Sequence, residues 1–247
     1  MSVLNIAAYH FVELDELPAL RLRLFEQAAG HSLRGTILLA PEGINLFLAG
    51  PDEAIRSFLT QLRADPRFAA LHAKFSSSAQ VPFRRLRVRI KREIIRMDHP
   101  TIQPGEGRAP SVDALTLQRW LAAGHDDNGR PVLVLDTRNG FEVEAGTFRD
   151  ALHLGIERFT QFPAAVTAHR EALVGKAVVT FCTGGIRCEK AALFMAEAGI
   201  ESVYQLEGGI LQYFEDTDGR DFDGRCFVFD GRVALDPALR PQEEQHR

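Results

Sequence analysis

A short stretch of the chain combines the residue types that nucleophilic sulfur chemistry needs, with one cysteine, two glycines and one arginine in Cys182-Thr183-Gly184-Gly185-Ile186-Arg187. The two glycines let the backbone curl, so that successive N–H groups can point inward. The arginine adds a permanent positive charge with a planar fork of donors. Each feature stabilises a thiolate and lowers the pKa of a cysteine. We therefore expect Cys182 to be the reactive nucleophile, in a loop that would equally hold a persulfide anion or an anionic substrate.

The elements around this loop are predicted to present it at the edge of a parallel sheet. The apolar run Ala177–Phe181 ends at Cys182, and Cys188–Ala198 has helical spacing. The start of that helix adds its positive end to the loop. Further apolar strands are expected at Val132–Leu135 and Val203–Leu206, with another helical pattern at Phe159–Leu173. Continuous apolar strands alternating with helices indicate an α/β domain, and such domains place their chemistry where the strands end.

The first hundred residues predict a separate domain. Strands are expected at Val3–Val12, Gly35–Ala40, Ile44–Leu48 and Val81–Arg92. Helices are expected at Leu17–Gly30 and from Gly50-Pro51-Asp52-Glu53, after which Ile55, Phe58, Leu59 and Leu62 recur at helical spacing. The order βαββαβ is that of a ferredoxin-like α+β sandwich, the arrangement of acylphosphatase-like domains. The Pro- and Gly-rich stretch His99–Pro110 is the expected linker, and Ser111 the expected N-cap of a helix through Trp120 and Leu121. The expected organisation is a ferredoxin-like domain at 1–98, a linker at 99–110, a parallel-sheet domain at 111–220 and a C-terminal extension at 221–247.

The last predicted strand of the first domain has two chemically different faces. Leu86, Val88 and Ile90 are expected to point one way, and the other face holds the cations Arg85, Arg87, Arg89 and Lys91. Four cations in a row could follow a phosphate backbone. They could equally form a solvated face, or guard an edge strand against aggregation. From the strand alone, the solvated face is the favoured interpretation.

Composition places limits on the class of protein. The chain has 247 residues, 45% of them hydrophobic, and a formal net charge of −4. Residues 1–100 hold 14 Lys and Arg against 10 Asp and Glu, whereas residues 101–247 hold 15 against 23. A basic front half indicates an anionic partner for that half. The three cysteines make no disulfide framework, and neither a signal peptide nor a run of the ~18 apolar residues that span a bilayer is seen. The expectation is a cytoplasmic protein without a membrane partner.

The loop and its flanks resemble rhodanese domains over about residues 111–216. The shared stretches are Cys182–Arg187, Leu135-Asp136-Thr137-Arg138-Asn139 with Glu142-Val143 and Gly146-Thr147-Phe148, and Leu206-Glu207-Gly208-Gly209-Ile210. In such a fold Asp136 and Arg138 are expected to brace the loops and not to act in catalysis. Phosphatases built on this fold use C-x5-R, whereas this chain has C-x4-R. The shorter loop should fit a single sulfur better than a phosphate.

A wider resemblance covers almost the whole chain. Gly35-Thr36-Ile37-Leu38-Leu39-Ala40-Pro41-Glu42-Gly43-Ile44-Asn45, Lys91-Arg92-Glu93-Ile94-Ile95, Cys182–Lys190 and Cys226-Phe227-Val228-Phe229-Asp230 are similar to segments of oxygen-dependent tRNA uridine(34) hydroxylases. The resemblance implies an oxidoreductase that forms 5-hydroxyuridine at the wobble uridine of tRNA. It further implies molecular oxygen as co-substrate, Cys182 as the persulfide-bearing residue, and a tRNA contact at the basic strand. Longer members add a cysteine-rich C-terminal region, whose roles are not transferred to this chain.

Several alternatives stay open at this point. A rhodanese-type sulfurtransferase would pass persulfide sulfur to an acceptor, and its donor could be a protein or a small thiol; a non-catalytic binding module is argued against by Cys182 and Arg187. Cys188 is either a resolving thiol for an oxidised Cys182 or, as we prefer, a packed side chain. Glu42 and Asn45 either read a base or form a turn.

Other expectations concern cofactors and Arg187. No metal site is expected, because the histidines and cysteines lack ligand spacing, and no nucleotide-cofactor fingerprint follows a strand. Arg187 is expected to face the anion of the loop and not the core, so that Arg187→Ala would leave the fold intact.

Overall fold

The structure, a computed structural model, describes residues 3–241 except the side chain of Glu106, and it divides into two compact units. The first unit comprises the residues through Arg96 together with Phe229–Val233. The second comprises Met97–Val228 and the segment that starts at Ala234. Within the described residues, no helix has the length and apolar character that a bilayer crossing requires.

The first unit is a five-stranded sheet with two helices. Its strands are β1 (Val3–Phe11), β2 (Arg34–Ala40), β3 (Gly43–Gly50), β4 (Ala73–Ser78) and β5 (Leu86–Ile90), in the spatial order β4-β1-β3-β2-β5. The helices are α1 (Leu17–Gly30) and α2 (Asp52–Arg63), and a 3₁₀ turn follows at Pro66–Phe68. The four antiparallel strands and two helices confirm the predicted ferredoxin-like sandwich.

The prediction for the last strand of this sandwich is wrong. The strand that closes the sandwich beside β1 is β4, whose sequence AKFSSS is too polar to show an apolar alternation. The predicted strand Val81–Arg92 is shortened to β5, a fifth strand that pairs parallel to β2 at the opposite edge. Leu86 and Val88 pack on the core, whereas Ile90 is 40% exposed. Arg85 and Lys91 flank β5 without belonging to it.

One face of this sheet is buried by both helices. The apolar positions of α2 that the periodicity predicted are all buried in a single cluster with every second residue of the strands; that cluster includes Ile6, Ala8, Ile37, Leu39, Leu46, Leu48, Phe58 and Leu62. Because side chains alternate along a strand, the residues between these positions project from the other face.

The second unit is built on a parallel sheet. Its strands are β6 (Ser111–Val112), β7 (Val132–Asp136), β9 (Leu152–His153), β10 (Ala177–Phe181) and β11 (Val203–Leu206), in the order β6-β11-β10-β7-β9. All four pairings are parallel, which confirms the predicted α/β domain and its three long strands. The short strands β8 (Gly146–Phe148) with β12 (Phe222–Gly224), and β13 (Cys226–Phe227) with β14 (Ala234–Leu235), form two small antiparallel pairs. Every residue of the central strand β10 is buried.

In the described part of the chain, six helices accompany this sheet: α3 (Ala114–Ala123), α4 (Gly140–Val143), α5 (Phe162–Ala168), α6 (Arg170–Leu173), α7 (Ile186–Glu197) and α8 (Gly209–Thr217), with 3₁₀ turns at Pro104–Glu106 and Phe159–Gln161. The predicted N-cap Ser111 is wrong, since Ser111 lies in β6 and the Asp113 carboxylate accepts the N–H of Thr116 at 2.7 Å. The single helix predicted at Phe159–Leu173 is interrupted at His169, whose Nδ1–H donates to the Ala165 carbonyl at 2.9 Å.

The stretch His99–Pro110, predicted as a linker, lies in the second unit. Its Ile102 is buried, and the ring of His99 packs edge-on against Phe194 with centroids 5.0 Å apart. At its far end Arg108 Nε donates to the Glu189 carboxylate at 3.1 Å.

Candidate active site

Cys182 follows the buried strand β10 directly and precedes helix α7 by three residues. Its side chain is only 1% exposed. The Gly185 N–H donates to the sulfur at 3.2 Å, and the Arg187 N–H is a second backbone donor. Gly185 has φ of 97°, a conformation that side-chain-bearing residues rarely adopt. The loop therefore curls its amides toward the sulfur at the carboxyl end of the sheet, as the sequence predicts.

The surroundings of Cys182 favour its ionised form. Burial alone raises the pKa of the thiol, but hydrogen bonding from Cys188, the positive charge of Arg187 and the two backbone N–H groups together lower it to about 6. Burial and the neighbouring Cys182 raise the pKa of the Cys188 thiol well above its ordinary value. Cys188 therefore stays protonated and donates its S–H to the sulfur of Cys182.

Arg187 is buried beneath the loop and forms an ion pair. Its Nη2 donates to Glu142 Oε1 at 2.9 Å, and Glu142 is completely buried. The other carboxylate oxygen accepts the Asn139 N–H at 3.1 Å. The charge of Arg187 thus acts on both Cys182 and Glu142. The expectation that Arg187 faces only the anion is wrong, because the guanidinium also neutralises a carboxylate that no water reaches.

Glu142 in turn belongs to a second buried network. Arg138 Nη2 lies 2.6 Å from Asp136 Oδ2 with both side chains inaccessible to solvent. Arg138 also donates to the carbonyls of Glu142 and Gly146, while Thr147 Oγ1 donates to Asp136 at 2.8 Å. These bonds tie the end of β7 to α4 and β8, which confirms the interpretation that Asp136 and Arg138 brace the loops.

The remaining loop residues have backbone and packing roles. Thr183 is buried, and its hydroxyl donates to the Phe227 carbonyl at 3.2 Å, away from the loop amides. Gly184 is half-buried, with open space where a Cβ would lie. Ile186 is half-buried and begins α7.

Two neighbours of the loop were not assigned roles from the sequence. Gly209 has φ of +67°, and a Cβ there would lie 2.4 Å from the Cys182 carbonyl oxygen, so no larger residue fits. The next two N–H groups, of Ile210 and Leu211, donate to the Cys182 and Thr183 carbonyls.

Cys226, on β13, is buried beside the loop, and burial raises the pKa of its thiol to about 12. The late placement of Cys226 in the chain gave no local signal of this contact.

The predicted cations lie in the first unit. Arg85, Arg89 and Lys91 are exposed and Arg87 is half-buried. Arg85 most strongly, then burial and Arg89, lower the pKa of Arg87. Within residues 3–241 none of these four cations has an ion-pair partner. They form a concentration of positive charge that no carboxylate of the described chain neutralises.

Glu42 and Asn45 hold a neighbouring segment in place. Glu42 Oε1 accepts the Ile94 N–H at 2.7 Å, and Asn45 Nδ2 donates to the Ile94 carbonyl at 3.3 Å. Asn45 is buried. Of the two interpretations, these bonds favour the structural one. In the described part of the chain, no three His, Cys, Asp or Glu side chains are grouped so as to hold a metal ion.

The ionisation of Cys182 can be tested by titration. We expect its thiol to titrate near pH 6, followed by the ultraviolet absorbance of the thiolate after subtraction of the same titration of Cys182→Ala. Cys188→Ala should move the midpoint upward because a hydrogen-bond donor to the thiolate is lost, whereas Cys188→Ser should move it less. A wild-type midpoint at the ordinary value of 9.0 would contradict this description of the loop.

The buried Arg187 pair predicts a loss of stability. Arg187→Ala should lower the free energy of unfolding by about 3–5 kcal/mol, because Glu142 is left as an uncompensated buried charge. Urea denaturation measures the change. Adding Glu142→Gln to this variant should recover part of the lost free energy of unfolding, since the uncompensated buried charge of Glu142 is then removed. Equal stability of Arg187→Ala and the wild type would show that the pair does not form.

Sequence comparisons agree with the two units. Residues 3–94 match the family described as UPF0176 acylphosphatase like domain, and residues 117–216 match the Rhodanese-like domain family. A protein of Bordetella petrii is 68% identical, over 97% of this chain and 95% of its own length. Relatives from Variovorax paradoxus and Delftia acidovorans are 63% and 60% identical, over 96% and 97% of this chain and 90% and 92% of their own lengths.

All three relatives bear the name tRNA uridine(34) hydroxylase. These matches cover 96% or 97% of this chain and so extend through both units. The chain belongs to the tRNA uridine(34) hydroxylase family.

Proposed function

We propose that this protein hydroxylates the wobble uridine, position 34, of tRNA to 5-hydroxyuridine, with molecular oxygen as co-substrate. The observation that supports this most directly is Cys182, intact in a thiolate-stabilising loop, in a chain 68% identical to a tRNA uridine(34) hydroxylase over nearly its full length. A sulfurtransferase that passes persulfide sulfur to an acceptor would use the same loop, but the relatives do not favour it.

Cys182 is the residue that we propose to bear a persulfide. Its thiolate attacks the outer sulfur of a donor persulfide on a protein or small thiol, the S–S bond of the donor breaks, and the donor leaves as a thiolate. The Gly185 and Arg187 N–H groups and the Arg187 charge already stabilise an anion at this position. The same donors suit the terminal sulfur of a persulfide, which is also anionic.

Cys188 is proposed to support Cys182 and not to resolve it. A resolving cysteine must itself ionise to attack an oxidised partner, and burial opposes that ionisation here. A thiol that stays protonated is instead suited to donate a hydrogen bond. Thr137 Oγ1, 4.0 Å from the Cys188 sulfur, shares its surroundings.

The basic residues at β5 are proposed to contact tRNA phosphates. The name of the family to which the chain belongs identifies tRNA as the substrate. A tRNA substrate favours a phosphate contact at these cations over the solvated face that the strand alone favoured. Positive charges without carboxylate partners are available to replace the counterions of a nucleic acid.

Loss of the Cys182 thiol tests the reaction. Cys182→Ser should abolish 5-hydroxyuridine formation, because a hydroxyl neither ionises near neutral pH nor forms a persulfide. Mass spectrometry of tRNA nucleosides from cells lacking the gene, complemented with either form, measures the outcome. Full modification with Cys182→Ser would refute the proposed role. Unchanged 5-hydroxyuridine on deleting the gene, with rapid sulfur transfer from thiosulfate to cyanide in vitro, would instead establish the sulfurtransferase.

Neutralising two exposed cations tests the tRNA contact. Arg85→Gln with Arg89→Gln should weaken tRNA binding and reduce the magnitude of the log–log salt slope by ~0.7–0.9 for each lost phosphate contact. Stability should change little, because both side chains are exposed. Arg56→Gln together with Arg119→Gln, exposed arginines on α2 and α3 that are paired with Asp52 and Asp127, is the control. An unaltered affinity and slope in the β5 variant would make the strand a solvated face.

A further inference from the structure

Helix α1 has apolar residues on two opposite sides. The inner side is buried in the core of the first unit and comprises Leu20, Leu24 and Ala28. The outer side is exposed and comprises Pro18, Leu22, Phe25 and Ala29, which we call the outer row. Leu22 is 56% exposed and Phe25 is 43% exposed, although residues of these types are most often buried. The described part of the chain therefore leaves a row of apolar side chains on α1 uncovered.

The outer row has the spacing of a coiled-coil seam. Its members follow one another at intervals of four, three and four residues, which is the alternation of the a and d positions of a heptad, with Leu22 at a and Phe25 at d. Side chains at these positions insert between those of a second helix that lies alongside. Because the inner side already holds α1 in helical form, pairing does not have to offset the cost of forming the helix, and a short seam can suffice.

Two opposite charges flank the outer row. Arg21 directly precedes Leu22 and so occupies a g position, whereas Glu26 directly follows Phe25 and occupies an e position. In a parallel pair of helices, a g residue meets the e residue of the next heptad of the partner. Arg21 of one copy would therefore meet Glu26 of a second copy, and a two-fold axis would form this contact twice.

The side chains of Arg21 and Glu26 are placed for such a contact. Arg21 Nε donates to the Val88 carbonyl at 3.0 Å, which fixes the guanidinium beside α1 and leaves its Nη groups to reach a carboxylate. Both residues are exposed, and within residues 3–241 neither has an ion-pair partner. An antiparallel pair of helices would place each of these charges beside its own copy, which is repulsive. The charges therefore favour the parallel arrangement.

We propose that the outer row of α1 is a docking surface for a second copy of this chain, and that the two α1 helices pack in parallel about a two-fold axis. Leu22 and Phe25 fill the centre of the contact, and an Arg21–Glu26 ion pair lies on each side of it. The interface is self-complementary, since both copies contribute the same residues. The inference is independent of the proposed function, because none of these residues belongs to the active site or to the basic residues at β5.

Analytical ultracentrifugation of the full chain over a concentration series tests the dimer. The wild type should associate to a dimer, and Leu22→Glu should raise the dimer Kd about a hundredfold or more, because two carboxylates would be placed in an apolar contact. Leu115→Glu is the matched control, since Leu115 is a 63% exposed leucine on α3, and it should associate as the wild type does. A wild type that is monomeric at every concentration, or an equal effect of both substitutions, would overturn the proposal.

Charge reversal separates the ion pairs from general damage to the helix. Arg21→Glu and Glu26→Arg should each raise the dimer Kd about tenfold, because like charges then face each other twice. The variant with both substitutions should recover most of the affinity, since attractive pairs form again with the charges exchanged. Thermal denaturation checks that each variant is folded. Without recovery in the double variant, the proposed contact is wrong.

A cysteine placed at the end of the outer row reports the direction of the helices. In the parallel pair the two copies of position 29 face each other, whereas in an antiparallel pair they would lie about 16 Å apart along the axis. Mild oxidation should therefore cross-link Ala29→Cys into a covalent dimer on non-reducing electrophoresis. The wild type, whose three cysteines are all buried, should stay uncross-linked. A dimer that Ala29→Cys does not cross-link would reject the parallel seam.

Discussion

A negatively charged sulfur held where water scarcely reaches is the constraint on which the second unit depends. Cys182 is almost completely buried, and burial by itself would keep its thiol neutral. Stabilising the thiolate requires donors and positive charge at fixed positions, which the amides of the loop, Cys188 and Arg187 provide. Arg187 is itself a buried charge, so it needs Glu142, and Glu142 needs the Asn139 amide. Each of these groups is needed because the group that it stabilises is charged and buried.

The same constraint explains why segments far apart in the sequence converge on the loop. Gly209 approaches the Cys182 carbonyl so closely that a methyl group would not fit, and the start of α8 donates two N–H groups to the loop. Arg138 and Asp136 hold α4, and with it Glu142, in register with the end of β7. A loop that curls its amides around one atom needs support from outside, because its own glycines give it no preferred shape.

Local patterns predicted most of the fold, and they failed where the information is not local. The strands Ala177–Phe181 and Val203–Leu206 and the helix Leu17–Gly30 have the bounds that their apolar patterns predict. The strand Ala73–Ser78 was missed because an edge strand with three serines forms by pairing with β1 and not by apolar alternation. The position of Cys182 follows from strand, glycines and helix. The Glu142–Arg187 pair, 45 residues apart, has no sequence signature, and for that reason Arg187 was mistaken for a residue without a structural role.

The segment Phe229–Val233 leaves the second unit between β13 and β14 and belongs to the first. There Arg232, paired with Asp230, donates to the Ser76 hydroxyl at 2.6 Å, and the Gly231 N–H donates to the Pro82 carbonyl. The first unit therefore includes a stretch of sequence that follows most of the second unit, because only the segment that starts at Ala234 comes later in the second unit. A fragment of residues 3–96 alone would lack the hydrogen bonds that this segment makes to Ser76 of the edge strand β4 and to Pro82.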